Sequence, residues 1–91
     1  MAHTFEELVE MQRAADEAHA RVIALREEYG PPTQHEWSET QTATYETAWR
    51  TWRDLARDIQ AAVTEHATEQ SQNRYEVEAS VKKAARHPEE S

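Results

Sequence analysis

The chain has 91 residues, enough for one small domain. It carries 18 acidic side chains against 10 lysines and arginines, a net charge of −8, and no segment of it is basic overall, so it lacks the electrostatic footprint of a nucleic-acid binder. There is no cysteine, which excludes disulfides and thiolate-held metals.

Apolar material is scarce. Leu, Ile, Val and Phe total 11 residues, whereas alanine alone supplies 15. That balance approaches the composition of disordered chains. Three tryptophans and a regular apolar period argue for an ordered but core-poor fold, of the kind that gains burial from self-association or a partner. "MAHTFEELVE" lacks the basic and apolar parts of a signal peptide, and no run approaches the ~20 apolar residues of a membrane span. A cytoplasmic location is therefore expected. Arginine exceeds lysine eight to two, and with abundant alanine this suits a high-GC bacterium.

The first helix is expected over about residues 4–29. Thr4 and Glu7 have capping-box spacing, in which the hydroxyl accepts from the third backbone N–H and the glutamate reaches back. Leu8, Met11, Ala15, Ala18, Val22, Leu25 and Tyr29 then recur at alternating steps of three and four, a heptad seam. Phe5, Val9 and Ile23 lie beside that seam, on the flank of His19. Gly30 supplies a C-terminal cap, Pro31-Pro32 prevent continuation, and residues 30–37 form the loop.

The second helix is expected from residue 39 to about 70, capped by Ser38 with Gln41. Its seam reads Tyr45, Ala48, Trp52, Leu55, Ile59, Ala62, with Trp49, Ala56 and Val63 as a flanking stripe. The short loop makes the two helices antiparallel neighbours. Neither glycine nor proline interrupts the chain from Glu39 to His87. "TEQSQNR", Thr68 to Arg74, lacks apolar residues, and Val77, Val81 and Ala84 then resume in a new phase until Pro88. Two forms are open for this extension, about residues 71–87. The helix runs straight and completes its packing in an oligomer, or it bends near Ser71–Asn73 and folds back as a short third helix. The absence of a breaker favours the straight form.

The reading is an all-α antiparallel hairpin with a long second helix, assembling into a bundle, most simply a dimer. Its core residues are Leu8, Met11, Val22, Leu25, Tyr29, Tyr45, Trp52, Leu55 and Ile59, with Trp52 the anchor whose loss unfolds the hairpin. Its candidate interaction residues are Phe5, Val9, Ile23, Trp49, Val63, Val77 and Val81.

"TYETAWRTWRDLARD", residues 44–58, interleaves rings with arginines as a nucleic-acid groove would. On the heptad, however, Tyr45 and Trp52 fall on the seam, while Arg50, Arg53 and Arg57 fall mostly outward beside Glu46 and Asp54. Rings and guanidiniums therefore diverge, which is the pattern of a core face and an ion-paired outer face. Only Trp49 is left at the rim.

The expected role is a small, non-enzymatic interaction or assembly module with no cofactor. A regulatory protein contacting nucleic acid through Lys82, Lys83 and Arg86 is the second reading. A metal-binding helical protein is the third, using His3 and His66 with Glu6, Glu65 and Glu69, or the Asp16-x-x-His19 element that resembles one part of di-iron bundles. The inward glutamates of a di-iron site are absent from both seams. With one glycine and no cysteine there is neither a phosphate-cradling loop nor a thiol nucleophile. Trp37-Ser38-Glu39 at the turn resembles the Trp-x-Gly turn of the WXG100 helical hairpins. It departs from them in lacking the glycine, and Tyr75 is followed four residues later by Ala79 where that family has an acidic residue. The resemblance covers a loop and a shape and assigns no family.

Overall fold

A computed structural model describes residues 2–33 and 36–87. Gln34 and His35 of the loop, and Pro88 as a stop signal, lie outside the described residues. The fold is all-α, and the described residues form three helices: α1 (Phe5–Tyr29), α2 (Glu39–Glu69) and α3 (Arg74–Arg86).

Both capping boxes form. Thr4 Oγ1 accepts from Glu7 N at 3.1 Å while Thr4 N donates to Glu7 Oε1 at 2.9 Å. Ser38 and Gln41 repeat the exchange at 3.0 and 2.9 Å. Each box satisfies two backbone donors that a helix start leaves unpaired. Gly30 closes α1 with φ 74°, a conformation its missing Cβ allows, and its N–H donates to the Arg26 carbonyl at 3.0 Å. Its own carbonyl accepts from Trp37 Nε1 at 2.8 Å, which fastens the start of α2 to the end of α1.

The straight continuation of the second helix does not occur. α2 stops at Glu69 and α3 folds back against both earlier helices. The stop is built locally. Gln72 N donates to the Ala67 carbonyl at 2.9 Å and Ser71 N to that of Thr68 at 3.3 Å, the two bonds of a Schellman ending. Ser71 occupies the left-handed position at φ 52°, where glycine is usual and a residue with a Cβ carries a strain of about 1 kcal/mol. Asn73 then caps α3, its side-chain oxygen accepting from Tyr75 N at 2.9 Å and Glu76 N at 3.3 Å. Two weak helix formers at the right two positions do the work of a glycine or proline.

α3 runs beside the first half of α1 and the last half of α2. Its start is held where Arg74 donates to Thr64 Oγ1 at 2.9 Å and hydrogen-bonds Gln60. Its end is held where Arg86 meets both oxygens of Asp16 at 3.1 Å. The fold-back creates the main core, in which Leu8, Val9, Ala15, Ile59, Ala62, Val63, Ala67, Val77 and Val81 form one cluster. Four residues expected at an interface between copies are therefore interior. Val9, Val63, Val77 and Val81 are 7%, 1%, 5% and 0% exposed. The reason is the bend, because the flank that a straight helix leaves bare is the flank that α3 covers.

The other half of the hairpin has two helices only. Val22, Leu25 and Ala48 are buried there, with Tyr29, Tyr45 and Trp52 packed against them but only half-buried. Met11 and Leu55 are likewise half-buried at the edge of the main cluster. The molecule is thus a three-helix bundle at one end and a two-helix hairpin at the other, 51 Å long and 17 Å across its thinnest direction.

A candidate protein-interaction surface on the open half of the bundle

On α1, Val9, Asp16 and Ile23 follow one another at seven-residue intervals, two helical turns each, so they share a face. Val9 is buried in the core that α3 completes, Asp16 is gripped by Arg86 at the end of α3, and Ile23 is 40% exposed. On α2 the same interval links Val63, Ala56 and Trp49. Val63 is buried, Ala56 is half-buried and Trp49 is 39% exposed. α3 covers both stripes as far as Asp16 and no further. Ile23 and Trp49 are the uncovered continuation of a helix seat.

Between and around them lie aromatic groups. His19 stacks on Trp52 with ring centroids 4.5 Å apart and planes at 25°. His19 thus sits beside Trp52, at the rim of the hairpin. The Arg53 guanidinium lies 5.1 Å from the centroid of the Trp49 ring, a cation–π arrangement. This corrects the expected divergence of rings and guanidiniums at one pair, since the i, i+4 reach brings Arg53 back over Trp49. Elsewhere the divergence stands: Arg50 pairs with Glu46 at 4.0 Å, and Arg57 with Asp54 at 3.3 Å. Toward the hairpin tip, Trp37 packs edge-on between Tyr29 and Tyr45 at 5.4 and 5.0 Å. There an apolar cleft of 580 Å³ is lined by Pro31, Pro32, Trp37 and Tyr45, with Arg26 and Glu27 at its edge.

Phe5, the remaining interaction candidate, is also exposed. It stands at the opposite end of the molecule, against the Ser71–Asn73 turn and Val77. Tyr75 is the most exposed large hydrophobic side chain among the described residues, on the outer face of α3.

The charged residues of the alternative readings are placed as follows. Lys82 pairs with Glu78 at 2.7 Å, and Glu78 also takes Arg74 at 2.8 Å; these partners, Lys82 first, hold the Glu78 carboxyl below its ordinary range. Arg86 is committed to Asp16. Two of the three cations of the nucleic-acid reading therefore already have carboxylate partners. His66 is buried and its Nδ1 donates to the His3 backbone carbonyl at 2.8 Å, so the two histidines meet through main chain and not as paired rings. Among the described residues no group of three or more His, Asp or Glu is arranged to hold a metal ion, and no described helix is long and apolar enough to cross a membrane.

Two polar residues are buried: Gln12, which the sequence reading does not single out, and His66, which it brings back near His3 as a candidate metal ligand and not as a core residue. Gln12 Nε2 donates to Asp16 Oδ1 at 2.9 Å, which completes a Gln12–Asp16–Arg86 network between α1 and α3. The Arg86 hydrogen bond, with help from Gln12 and against partial burial, sets the Asp16 carboxyl below its ordinary value. A depressed folded value means that this network stabilises the fold above the usual aspartate range and loses its contribution as pH falls through the lowered value. The pair is partly solvated, so its worth is a few tenths of a kcal/mol. Asp16→Asn is expected to lower the urea midpoint slightly at about pH 7, and the two proteins are expected to converge only once the pH has fallen below the lowered Asp16 value, where the aspartic acid is as neutral as the asparagine. A difference that persists unchanged at low pH would show that the charge is not the source.

In comparisons with known proteins, no family model, no curated protein and no solved structure matches this chain. The class defined by the fold is a three-helix, all-α chain with one half of its bundle uncovered.

Proposed function

We propose that the chain is a non-enzymatic assembly module that pairs with a second copy of itself, two open halves docking to make a four-helix bundle between two three-helix ends. A cytoplasmic site of action in a bacterial cell belongs to the same proposal. The observation that carries it is the interrupted helix seat, in which the stripes through Val9 and Val63 are covered by α3 and the same stripes are bare at Ile23 and Trp49.

Two hairpins suit each other's open halves for a physical reason. A two-fold axis places both bare stripes of one copy against both of the other, so each exposed group is buried in a single event. The resulting packing of four helices is the common solution for amphipathic hairpins joined by short loops. Arg26 and Glu27 follow Ile23 along α1, and Glu46 and Arg53 flank Trp49 along α2, so the segments that carry the patch have mixed sign although the chain is strongly acidic. Trp49 has the large, flat apolar surface that dominates interface energetics, with Arg53 already laid over it. Trp49→Ala is expected to weaken pairing by at least about tenfold while leaving far-UV helicity unchanged, because truncating a central tryptophan typically costs over 1.4 kcal/mol. Sedimentation velocity across a dilution series reads the first quantity and circular dichroism the second. Equal association by the two proteins would place the interface elsewhere.

A further inference from the structure

The turn between α2 and α3 is where local sequence and observed structure disagree. No glycine or proline stands between Glu39 and His87, yet the helix breaks at Gln70. The break rests on Ser71 in a left-handed conformation that glycine adopts more readily, and on the Asn73 cap. Such conflict between local preference and tertiary arrangement marks a segment with a second available form. A short, strained hinge between packed elements is also the usual site of segment exchange.

We infer that α3 exchanges between two copies: the turn at Gln70–Asn73 straightens into helix, and the α3 of each chain docks on the α1–α2 seat of the other.

The geometry of the single chain makes the exchange exact in pairing. α3 runs antiparallel to α2, with Arg74 opposite Thr64 and Gln60, near the turn. When two straightened chains are set antiparallel with a two-fold axis at the turn, each α3 meets the partner's α2 in the same register. Every docking contact is then recreated between chains. Val77 and Val81 enter the partner's cluster of Leu8, Val9, Ile59 and Val63, and Arg86 reaches the partner's Asp16. Only the turn differs. Its Schellman bonds and the Asn73 cap are given up, the left-handed Ser71 is relieved, and continuous helical hydrogen bonds replace them. The partner is thus identified by the seat itself, because the one helix known to fit it is this chain's own α3. The exchange uses the hinge and the α3 seat and does not rest on the open half or on Trp49.

The test is an intrachain distance. The chain has no cysteine, so Arg57→Cys and Lys83→Cys, both exposed, take spin labels cleanly. The labelled chain is diluted into excess unlabelled chain so that only intrachain pairs are read. With α3 folded back, the labels are roughly 20 Å apart or less across two packed helices. In a straightened chain the 26 residue steps from position 57 to position 83 span roughly 39 Å at ~1.5 Å per residue. Wild type refolded from urea at about 1 mM is expected to show the long distance, and Ser71→Gly, which eases the turn, to show the short one. Ser71→Ala with Asn73→Ala, which removes the cap and favours helix, is expected to raise the long-distance fraction severalfold over wild type. Ile23→Glu in that background is expected to leave the fraction unchanged, which separates this exchange from pairing through the open half. A short distance alone in concentrated, refolded wild type would overturn the inference, and so would equal fractions in wild type and Ser71→Gly.

Discussion

Leu8→Ala is expected to lower stability by roughly 3 kcal/mol, within the range of 2–5 kcal/mol typical of buried leucine truncations. Leu8 is fully buried in the cluster that joins all three helices, alongside Ile59, Val63 and Val81. The chain has little to replace it. Four of the twelve buried hydrophobic residues are alanines, which contribute small areas. A domain of this length has a total stability of about 5–14 kcal/mol, and one with so few large core side chains belongs near the lower bound. Truncating Leu8 therefore removes a large share of the whole. Urea unfolding followed by far-UV circular dichroism checks this, and a midpoint equal to that of wild type would contradict the proposed core. The sequence alone points to Trp52 as the anchor. In the structure Trp52 is half-buried, in the two-helix half, stacked on His19 at the rim. Its truncation is expected to cost less than that of Leu8, because part of its ring is solvated in the folded single chain.

Ile23→Glu is expected to abolish pairing at micromolar concentration without unfolding the chain. In the single copy Ile23 is 40% exposed, so a carboxylate there stays hydrated and helicity is retained. In a two-fold dimer the substitution occurs twice, and each carboxylate must give up its water against an apolar seam. Burying an unpaired charge costs several kcal/mol, so the association constant should fall at least about 100-fold, equivalent to 2.7 kcal/mol. Sedimentation velocity at matched concentrations measures the change. An unaltered dimer would remove Ile23 from the interface.

Much of the fold is legible in the sequence, for reasons that can be traced to single residues. Thr4 with Glu7, and Ser38 with Gln41, mark two helix starts because few other roles need that spacing, and Gly30 before two prolines marks an ending that no helix can pass. The seams through Leu8, Val22, Leu25, Ala48 and Ile59 are readable because burial on a helix must repeat with its turn. What misleads is the second ending. Ser71 is not glycine, and a left-handed serine carries no signature in a single sequence. A signal was nevertheless present: Asn73 stands three residues before Glu76, the same cap spacing recognised at the first two helices. Taking it as a start would have turned α3 back and moved Val9, Val63, Val77 and Val81 from an interface into the core. Gln12 was hidden because its burial depends on α3 lying over Asp16, a consequence of the same bend. Ile23 and Trp49 stay exposed because α3 ends before it reaches them.

The open half is the proposed interface between copies. Sedimentation equilibrium on wild type and Ile23→Glu in parallel, from about 1 to about 200 µM, tests it most directly. The prediction is that wild type moves from the 10.6 kDa mass of one chain toward twice that value with rising concentration, whereas Ile23→Glu stays at the mass of one chain throughout. A wild type that remains a single chain over the whole range, or an Ile23→Glu variant that dimerises equally, would contradict it.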